Sequence, residues 1–404
     1  MKRIIFLLPL FLLILPPPSS AQTSDAIALA YVMNDSVWLA DIEGTPIINT
    51  GPQIQPKQGA YLFWSPDGAL LYTATREGLF VTSAQGGAAN RLPGEFGLTV
   101  TLARQGSVIY NLDVENPQDI AENIVGFPLR ETNMSNMQGG RGRMLATLGE
   151  YQTGTTEAYV SHAAAKYIRD GGLPGAGRPH LWSTYGGSLF YSCCFPNEGL
   201  GVLDVTTGDN YIYDASFIPG PAALNSTASR LVGPTTDGLI RTIDLISAGS
   251  RDYILDIPFS PFDIERMTWS SDDSAIYFVT RGIPADPLQL LPTVTYPADT
   301  RSFYGQLWKL NLITGRIDEI TDFGDIYGVS SIAATRDYIF VVVVERNQAL
   351  IQALNTGQLP PDISPTDPAL NNYIPRTLLW RVDVNTGDTF ALGENVWGLA
   401  ARPG

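Results

Sequence analysis

The stretch that most constrains this chain is residues 59–93, where four short apolar runs alternate with tight turns. The first run ends at Trp64 and is followed by a Ser-Pro-Asp-Gly turn at residues 65–68. Runs of this length between Gly-containing turns predict four strands of one antiparallel sheet. One small sheet cannot bury both of its faces, so a chain built of such units must stack them.

Similar units recur along the rest of the chain, which is rich in turn formers, with 39 Gly and 29 Pro. The turn after the third strand carries a repeated signature, an Asp or Asn followed by Thr-Gly at Thr207-Gly208, Thr314-Gly315 and Thr386-Gly387, with a weaker copy at residues 244–249. Gly suits a hairpin turn that needs a positive φ. We therefore predict an all-β fold, a single β-propeller of four-stranded antiparallel blades. Seven blades are expected, or six if the irregular third unit is not a blade.

The first unit is one strand short. Residues 27–48 supply three apolar runs, whereas residues 396–400 form an isolated run at the other end of the chain. A C-terminal strand that completes the first sheet would leave no open strand edge in the ring. We predict that the propeller is closed in this way.

The chain begins with basic residues, and the apolar run at residues 4–15 is too short for a comfortable membrane span. Prolines end this run, and small residues at positions 19–21 suit a signal peptidase. We predict a cleaved signal peptide at residues 1–21 and a propeller domain at residues 22–404, with an uncleaved N-terminal anchor as the alternative. No other segment approaches membrane length, so we expect no membrane span after cleavage and a secreted or periplasmic location.

Charge and cysteine content exclude some partners. The formal net charge of -15 would repel phosphate backbones, so nucleic acid is not an expected partner. Cys193 and Cys194 are adjacent, and they could form a strained disulfide, pair with a second molecule, or remain as small buried thiols. No His or further Cys lies near them with ligand spacing, and we predict neither a metal site nor another cofactor.

Two turns resemble those of a known repeat family. They read Trp-Ser-Pro-Asp-Gly at residues 64–68 and Trp-Ser-Ser-Asp-Asp at residues 269–273, and an alternating strand follows each. They resemble the WD-type repeat of TolB-type propellers and of the propeller domains of prolyl oligopeptidase-type enzymes. The resemblance covers most of residues 25–404 as a repeat pattern and implies an exported propeller. The aspartates of these turns are expected to order the hairpin through local hydrogen bonds.

Four long inserts interrupt the units, at residues 115–122, 151–178, 282–305 and 345–376. In a four-stranded blade, connections from the second to the third strand and from blade to blade open on one face of the ring, here called the elaborated face. The remaining turns open on the trimmed face. We expect all four inserts on the elaborated face. Within the second insert, Thr156 is expected to cap a helix over residues 157–169, with His162 and Lys166 on its solvated side.

Binding residues concentrate on loops held by a rigid scaffold, so the elaborated face is predicted to carry the function. Its aromatic and basic residues are the predicted binding contacts: Tyr296, Arg301, Phe303, Tyr304, Arg346, Tyr373 and Arg376. Catalytic motifs are scarce, because there is no Gly-x-Ser-x-Gly elbow and His162 and His180 are the two histidines. No catalytic residue is assigned.

The sequence therefore predicts an exported, non-catalytic propeller that acts as a binding or scaffold module for a protein, peptide or glycan. The alternative is a propeller enzyme, of lyase or glycoside hydrolase type, with acidic residues at the central channel. A structural module of a larger envelope assembly is a third possibility.

Overall fold

A computed structural model describes residues 27–53, 61–65, 67–75, 78–91, 100–102, 108–114, 129–130, 142–149, 157–160, 180–185, 188–192, 199–204, 210–227, 229–282, 303–360, 362–363 and 367–403. These residues form an all-β propeller of four-stranded antiparallel blades, which confirms the predicted fold class. The predicted signal peptide, both cysteines and the insert at residues 115–122 lie outside the described residues.

The first three sheets contain the strands of the N-terminal part of the chain, and the C-terminal strand joins the first of them. Sheet 1 contains β1 (Leu29–Met33), β2 (Ser36–Ala40), β3 (Pro46–Gln53) and the C-terminal β29 (Val396–Ala401). Sheet 2 contains β4 (Tyr61–Trp64), β5 (Leu70–Thr75), β6 (Gly78–Ser83) and β7 (Asn90–Arg91). Sheet 3 contains β8 (Val100–Leu102), β9 (Val108–Val114), β10 (Leu129–Arg130), β11 (Gly142–Gly149) and β12 (Glu157–Val160).

The other four sheets are simple antiparallel meanders. Sheet 4 contains β13 (His180–Tyr185), β14 (Ser188–Ser192), β15 (Leu200–Asp204) and β16 (Asn210–Asp214). Sheet 5 contains β17 (Ala223–Leu224), β18 (Arg230–Pro234), β19 (Leu239–Asp244) and β20 (Gly249–Ile254). Sheet 6 contains β21 (Ile264–Trp269), β22 (Ala275–Arg281), β23 (Phe303–Asn311) and β24 (Ile317–Ile326). Sheet 7 contains β25 (Gly328–Ala334), β26 (Tyr338–Val344), β27 (Thr377–Asp383) and β28 (Thr389–Glu394).

Sheet 3 departs from the sequence prediction. Its strand order is β10-β12-β11-β9-β8, and β10 lies parallel to β12. The helix predicted from residue 157 is wrong at its start, because Glu157–Val160 is a strand that pairs with β11. The unpaired edge of β11 offers main-chain hydrogen-bonding partners, and such tertiary pairing overrides local propensity. The rest of the predicted helix, with His162 and Lys166, lies outside the described residues.

The C-terminal strand closes the first sheet, as predicted. Strand β29 pairs antiparallel with β1, with Leu29 opposite Ala401 and Tyr31 opposite Leu399. It is the innermost strand of sheet 1 and contacts the innermost strands of sheets 7 and 2, β25 and β4. Arg402 extends this closure, because its Nε donates to Gly68 O of sheet 2 at 2.7 Å.

Apolar side chains of neighbouring sheets interlock to form the core. Buried clusters join sheets 4 and 5, 5 and 6, 6 and 7, 7 and 1, and 1 and 2. Leu29 and Phe340, both fully buried, meet in the cluster between sheets 7 and 1. Each such side chain contributes about 1.5–3 kcal/mol through burial. Sheets 3 and 4 contact each other through their innermost strands, β8 and β13.

The tryptophans of the two repeated turns tie neighbouring sheets together. Trp64 Nε1 donates to Ala400 O at 3.1 Å, and Trp269 Nε1 donates to Ala223 O at 3.0 Å. In both cases the acceptor lies on the innermost strand of the preceding sheet. The repeated Trp therefore has a structural role at the boundary between sheets.

The Ser and Asp residues of these turns form the same local network twice. Ser65 Oγ donates to Asp67 Oδ1 at 2.5 Å and accepts from Leu70 N at 2.9 Å. In the second copy, Ser270 Oγ donates to Asp272 Oδ1 at 2.7 Å, and this bond holds the pKa of the Asp272 carboxyl below its ordinary value. The turn aspartates order the hairpins, as the sequence predicts.

The Thr-Gly turns adopt the expected backbone conformation. Gly315 and Gly387 have φ values of 73° and 76°, whereas residues 207 and 208 lie outside the described residues. In the weaker copy, Ala248 has the positive φ, 55°, and Gly249 begins β20. The signature thus predicts the turn, although the residue with positive φ shifts by one position in that copy.

The same turns contact the preceding sheet. A Cβ built on Gly387 would lie 2.6 Å from Ile320 O of β24, so only Gly fits at this distance. In sheet 6, Leu312 O accepts a 3.1 Å hydrogen bond from Tyr253 Oη of sheet 5. The turn after the third strand therefore docks against the outer strand of the sheet before it.

The insert at residues 345–376 folds on itself. It contains a helix, α1 (Gln348–Asn355), and a 3₁₀ helix (Pro368–Asn372). Leu350, Ala353, Leu354 and Leu359 are buried together in a small separate core. The long insert is thus an ordered cap with its own apolar centre.

A second 3₁₀ helix (Pro261–Asp263) precedes β21, and its capping box is formed by Ser260 and Asp263.

Replacing Trp64 or Trp269 by Phe removes one hydrogen bond between sheets and should lower the free energy of unfolding by about 1 kcal/mol each. Trp38→Phe is the matched control, because the buried Trp38 Nε1 has no hydrogen-bond partner among the described residues. Chemical denaturation of the three variants checks this. Equal losses in all three would contradict a role for the indole hydrogen bonds.

Gly387→Ala should lower the free energy of unfolding by roughly 2–4 kcal/mol, because a positive φ and a close contact with Ile320 O act together. Gly324→Ala is the control: its φ is 67°, but no atom lies within 4 Å of the added Cβ. It should cost about 1 kcal/mol. If Ala lowers the free energy of unfolding equally at both positions, as measured by thermal or urea unfolding, the docking of the turn does not contribute to stability.

Candidate functional site

Strand directions assign the long connections to the faces of the ring. The insert at residues 345–376 joins β26 to β27, and the connection at residues 282–302 joins β22 to β23. Both link second and third strands, so they begin and end on the elaborated face. The predicted insert at residues 151–178 is divided by β12. Its first part joins a third strand to a fourth and so begins and ends on the trimmed face, which corrects the prediction.

Four innermost strands carry a β-bulge near their first residues, at the elaborated end of the central channel. The bulged residues are Trp182 in β13, Glu265 in β21, Ser330 in β25 and Trp397 in β29. Bulges re-aim side chains and are common at the rims of ring-shaped sheets. The same irregularity therefore recurs at the same end of four innermost strands that the structure describes.

Five residues form what we call the mouth cluster: Glu265, Arg266, Arg281, Phe303 and Gly328. Arg281 Nε lies 2.7 Å from Glu265 Oε1, and the Arg281 guanidinium stacks 4.2 Å from the centre of the Phe303 ring. A Cβ built on Gly328 of sheet 7 would lie 3.3 Å from Glu265 Oε2. The cluster thus spans the boundary between sheets 6 and 7, and the absent side chain of Gly328 leaves room for it.

Arg266 links the two bulges of this boundary. Its Nε donates to Ser330 O at 3.1 Å, and its Nη1 donates to Glu265 O at 2.6 Å. Both acceptors are main-chain carbonyls of bulged residues. Among the described residues, no carboxylate lies within ion-pair distance of Arg266, and its Nη2 has no hydrogen-bond partner. Arg266 is half-buried, and among the described residues its side-chain nitrogens do not belong to the buried polar atoms that lack a hydrogen-bond partner.

Phe303 is the predicted contact that the structure brings into the mouth cluster, and both Phe303 and Tyr304 belong to β23 rather than to the preceding insert. Tyr304 is directed to the outer strand of the same sheet. Its hydroxyl hydrogen bonds to Asp322, and this bond raises the pKa of Tyr304. Tyr296 and Arg301 lie outside the described residues.

Arg376 fixes the base of the long insert. It pairs with Glu345 at 3.2 Å and with Glu394, which ends β28. The hydrogen bond with Glu394 raises the pKa of Arg376 and lowers that of Glu394. Arg346, the next basic residue of the insert, is half-buried. Arg376 therefore positions the insert in addition to presenting a charge on the elaborated face.

Tyr373 belongs to the small core of the insert. Its ring packs against the cluster of Leu350 and Leu354, and its carbonyl accepts a 2.8 Å hydrogen bond from Asn347 Nδ2. Replacing Tyr373 by Ala would damage this core. Tyr373 is thus a poor choice for testing ligand contact.

Sequence reasoning missed Glu265, Arg266 and Arg281, because they lie on strands and not in inserts. One signal was available, since Glu265-Arg266 interrupts the otherwise apolar run of a first strand. Glu265 is the one acidic residue on the innermost strands that the structure describes. Among the described residues, no group of three or more His, Cys, Asp or Glu side chains could hold a metal ion.

The chain was compared with known proteins. No protein-family model matches it, and no curated protein sequence matches it. Solved structures that it resembles include the tricorn protease (12% identity, TM-score 0.44), covering 89% of this chain and 34% of the tricorn chain. This chain therefore spans about a third of that protease. They also include a putative TolB from Agrobacterium tumefaciens (12% identity, TM-score 0.36), covering 91% and 88% of the two chains.

A third similar structure is an oligogalacturonate lyase in complex with manganese (11% identity, TM-score 0.42), covering 71% of this chain and 70% of the lyase. At these identities the likeness concerns the fold alone. A TolB protein, of the kind that the two repeated turns resemble, is among these structures.

Proposed function

We propose that this chain is an exported, non-catalytic propeller whose elaborated face binds a protein, peptide or glycan. The proposal rests on one observation, that two features lie on the same face. The ordered insert at residues 345–376 and the mouth cluster both lie on the elaborated face. A rigid ring that presents an ordered cap beside polar and aromatic side chains is typical of a binding surface.

The composition of the channel mouth favours binding over catalysis. Glycoside hydrolases require two carboxyl groups about 5–9.5 Å apart, one as acid and one as base or nucleophile. The innermost strands that the structure describes offer Glu265 alone, and Arg281 already pairs with it. A lyase or glycoside hydrolase remains the alternative function, and it would need acidic residues from outside these strands.

The proposal includes a ring of seven blades. Buried clusters connect sheet 4 through sheets 5, 6 and 7 to sheets 1 and 2, and β8 of sheet 3 contacts β13 of sheet 4. This continuity supports one blade for each sheet, with sheet 3 as an irregular blade.

The proposal also includes export. We assign residues 1–21 to a cleaved signal peptide, residues 22–404 to the propeller, and the mature protein to a secreted or periplasmic location. In the part of the chain that the structure describes, no helix is long and apolar enough to cross a membrane.

Paired variants on the two faces test the binding role. Tyr304→Ala with Ile374→Ala changes a half-buried and an exposed side chain of the elaborated face, whereas Ile246→Ala with Ile313→Ala changes the exposed isoleucines of two trimmed-face turns. Peptides and oligosaccharides displayed on arrays are screened with the unmodified protein. The elaborated-face variant should bind the selected ligands at least roughly tenfold more weakly, because truncation of the few residues that dominate an interface costs about 2 kcal/mol or more each.

The trimmed-face variant should bind these ligands as the unmodified protein does, and each ligand should be recovered intact after incubation. Equal losses in both variants would contradict the assignment of the binding face. Cleavage of a bound oligosaccharide or peptide would overturn the non-catalytic proposal in favour of the enzyme.

A further inference from the structure

The charges of the mouth cluster do not balance. Arg281 is neutralised by Glu265 at 2.7 Å, but no carboxylate among the described residues lies within ion-pair distance of Arg266. The protein as a whole carries a formal net charge of -15, so carboxylates are abundant on its surface. Within the described part of the chain, the half-buried guanidinium of Arg266 is therefore held without a carboxylate to offset its charge.

The donors of Arg266 are only partly used. Nε and Nη1 donate to the carbonyls of Ser330 and Glu265, which fixes the plane of the guanidinium against the channel wall. Nη2 has no acceptor among the described residues. A planar guanidinium that is held in place and still has N–H groups to offer is pre-organised for an oxygen anion, because little side-chain entropy is lost on binding.

The surroundings select the kind of anion. A phosphate dianion would meet the negative field of the whole chain and the nearby Glu265 carboxylate, with one unpaired arginine to offset two charges. A carboxylate carries a single charge and matches the guanidinium in geometry. The half-buried position reduces screening by solvent and salt, which strengthens a single ion pair relative to one on the surface.

Two neighbouring groups of the mouth cluster add no charge. Gly328 has no side chain at the point where a Cβ would approach Glu265, and the Phe303 ring stacks on Arg281. The mouth cluster therefore includes an apolar ring, which suits a carboxylate attached to a carbon skeleton.

We propose that Arg266 forms a carboxylate subsite at the elaborated mouth of the central channel. The inference rests on the proposed binding function for its biological meaning, since the carboxylate would belong to the ligand of that face. The subsite can be tested without that ligand, because a simple carboxylate should occupy it.

Acetate is the probe, and inorganic phosphate is compared with it at constant ionic strength set by sodium chloride. Arginine Nε–H resonances of the isotope-labelled, unmodified protein are followed by NMR during each titration. Acetate should shift the Arg266 resonance in a saturable manner, and phosphate should bind at least roughly threefold more weakly. Arg266→Gln should abolish the saturable response, and Arg316→Gln should preserve it. Arg316 is exposed on a trimmed-face turn and pairs with Asp318, so it is a matched loss of charge.

Arg266→Lys is the second variant, for the case in which Arg266→Gln does not fold. It keeps the charge but lacks the planar fork, and it should weaken acetate binding at least roughly tenfold, as followed by acetate-dependent thermal stabilisation. A linear, non-saturable response of Arg266, an unchanged response in a folded Arg266 variant, or tighter binding of phosphate would each overturn the proposal. If acetate binds as expected while the arrays yield no ligand, the binding function fails and the subsite stands.

Discussion

Closure of the first sheet by the last strand is the constraint on which the rest of this structure depends. Each blade buries its faces against two neighbours, so a gap at any boundary exposes two apolar faces at once. The pairing of β29 with β1 removes this gap and places the strand between β25 and β4. The closing strand also carries the bulged Trp397, which packs against the buried cluster between sheets 1 and 2. Val396 and Leu399 of the same strand belong to the cluster between sheets 7 and 1, so one strand contributes to the core on both sides of sheet 1.

The boundaries between sheets are fixed differently at the two ends of the channel. On the trimmed side, indole hydrogen bonds and glycine turns hold neighbouring sheets close, and Gly387 leaves no space for a side chain. On the elaborated side, the innermost strands bulge and polar groups lie between sheets 6 and 7. The polar contacts between sheets 6 and 7 thus lie at the opposite end from the indole hydrogen bonds that tie neighbouring sheets together.

The sequence predicted those features that repeat. Trp64 and Trp269 occupy equivalent positions, and each Thr-Gly turn demands the same backbone conformation, so the pattern can be recognised without coordinates. The strand Glu157–Val160 was mistaken for a helix because the sequence that follows it is rich in Ala, and its pairing with β11 is set by distant residues. Repetition makes a feature predictable, whereas a single irregular blade offers no second copy to compare.

The candidate site was harder to predict than the fold. Long inserts drew attention to Tyr373 and Arg376, whose side chains in fact stabilise the insert and its base. Arg266 pairs with no carboxylate among the residues that the structure describes, and spacing in the sequence does not report which carboxylates the fold brings near an arginine. The bulges at Glu265 and Ser330 place both main-chain carbonyls within hydrogen-bonding distance of the Arg266 guanidinium. Only these contacts show that the arginine is held in place.

The two arginine groups of the elaborated face differ in what they can offer a ligand. Arg376 already pairs with Glu345 and Glu394. A ligand carboxylate would have to compete with these two carboxylates, which belong to the same chain and lose no translational or rotational freedom on pairing. Arg266 is held by neutral carbonyls, which lower its mobility without cancelling its charge. An incoming anion therefore gains more at Arg266 than at Arg376, even though Arg376 is the more exposed of the two. An arginine that is held by main-chain oxygens keeps its charge available for recognition. An arginine that is held by carboxylates serves the fold.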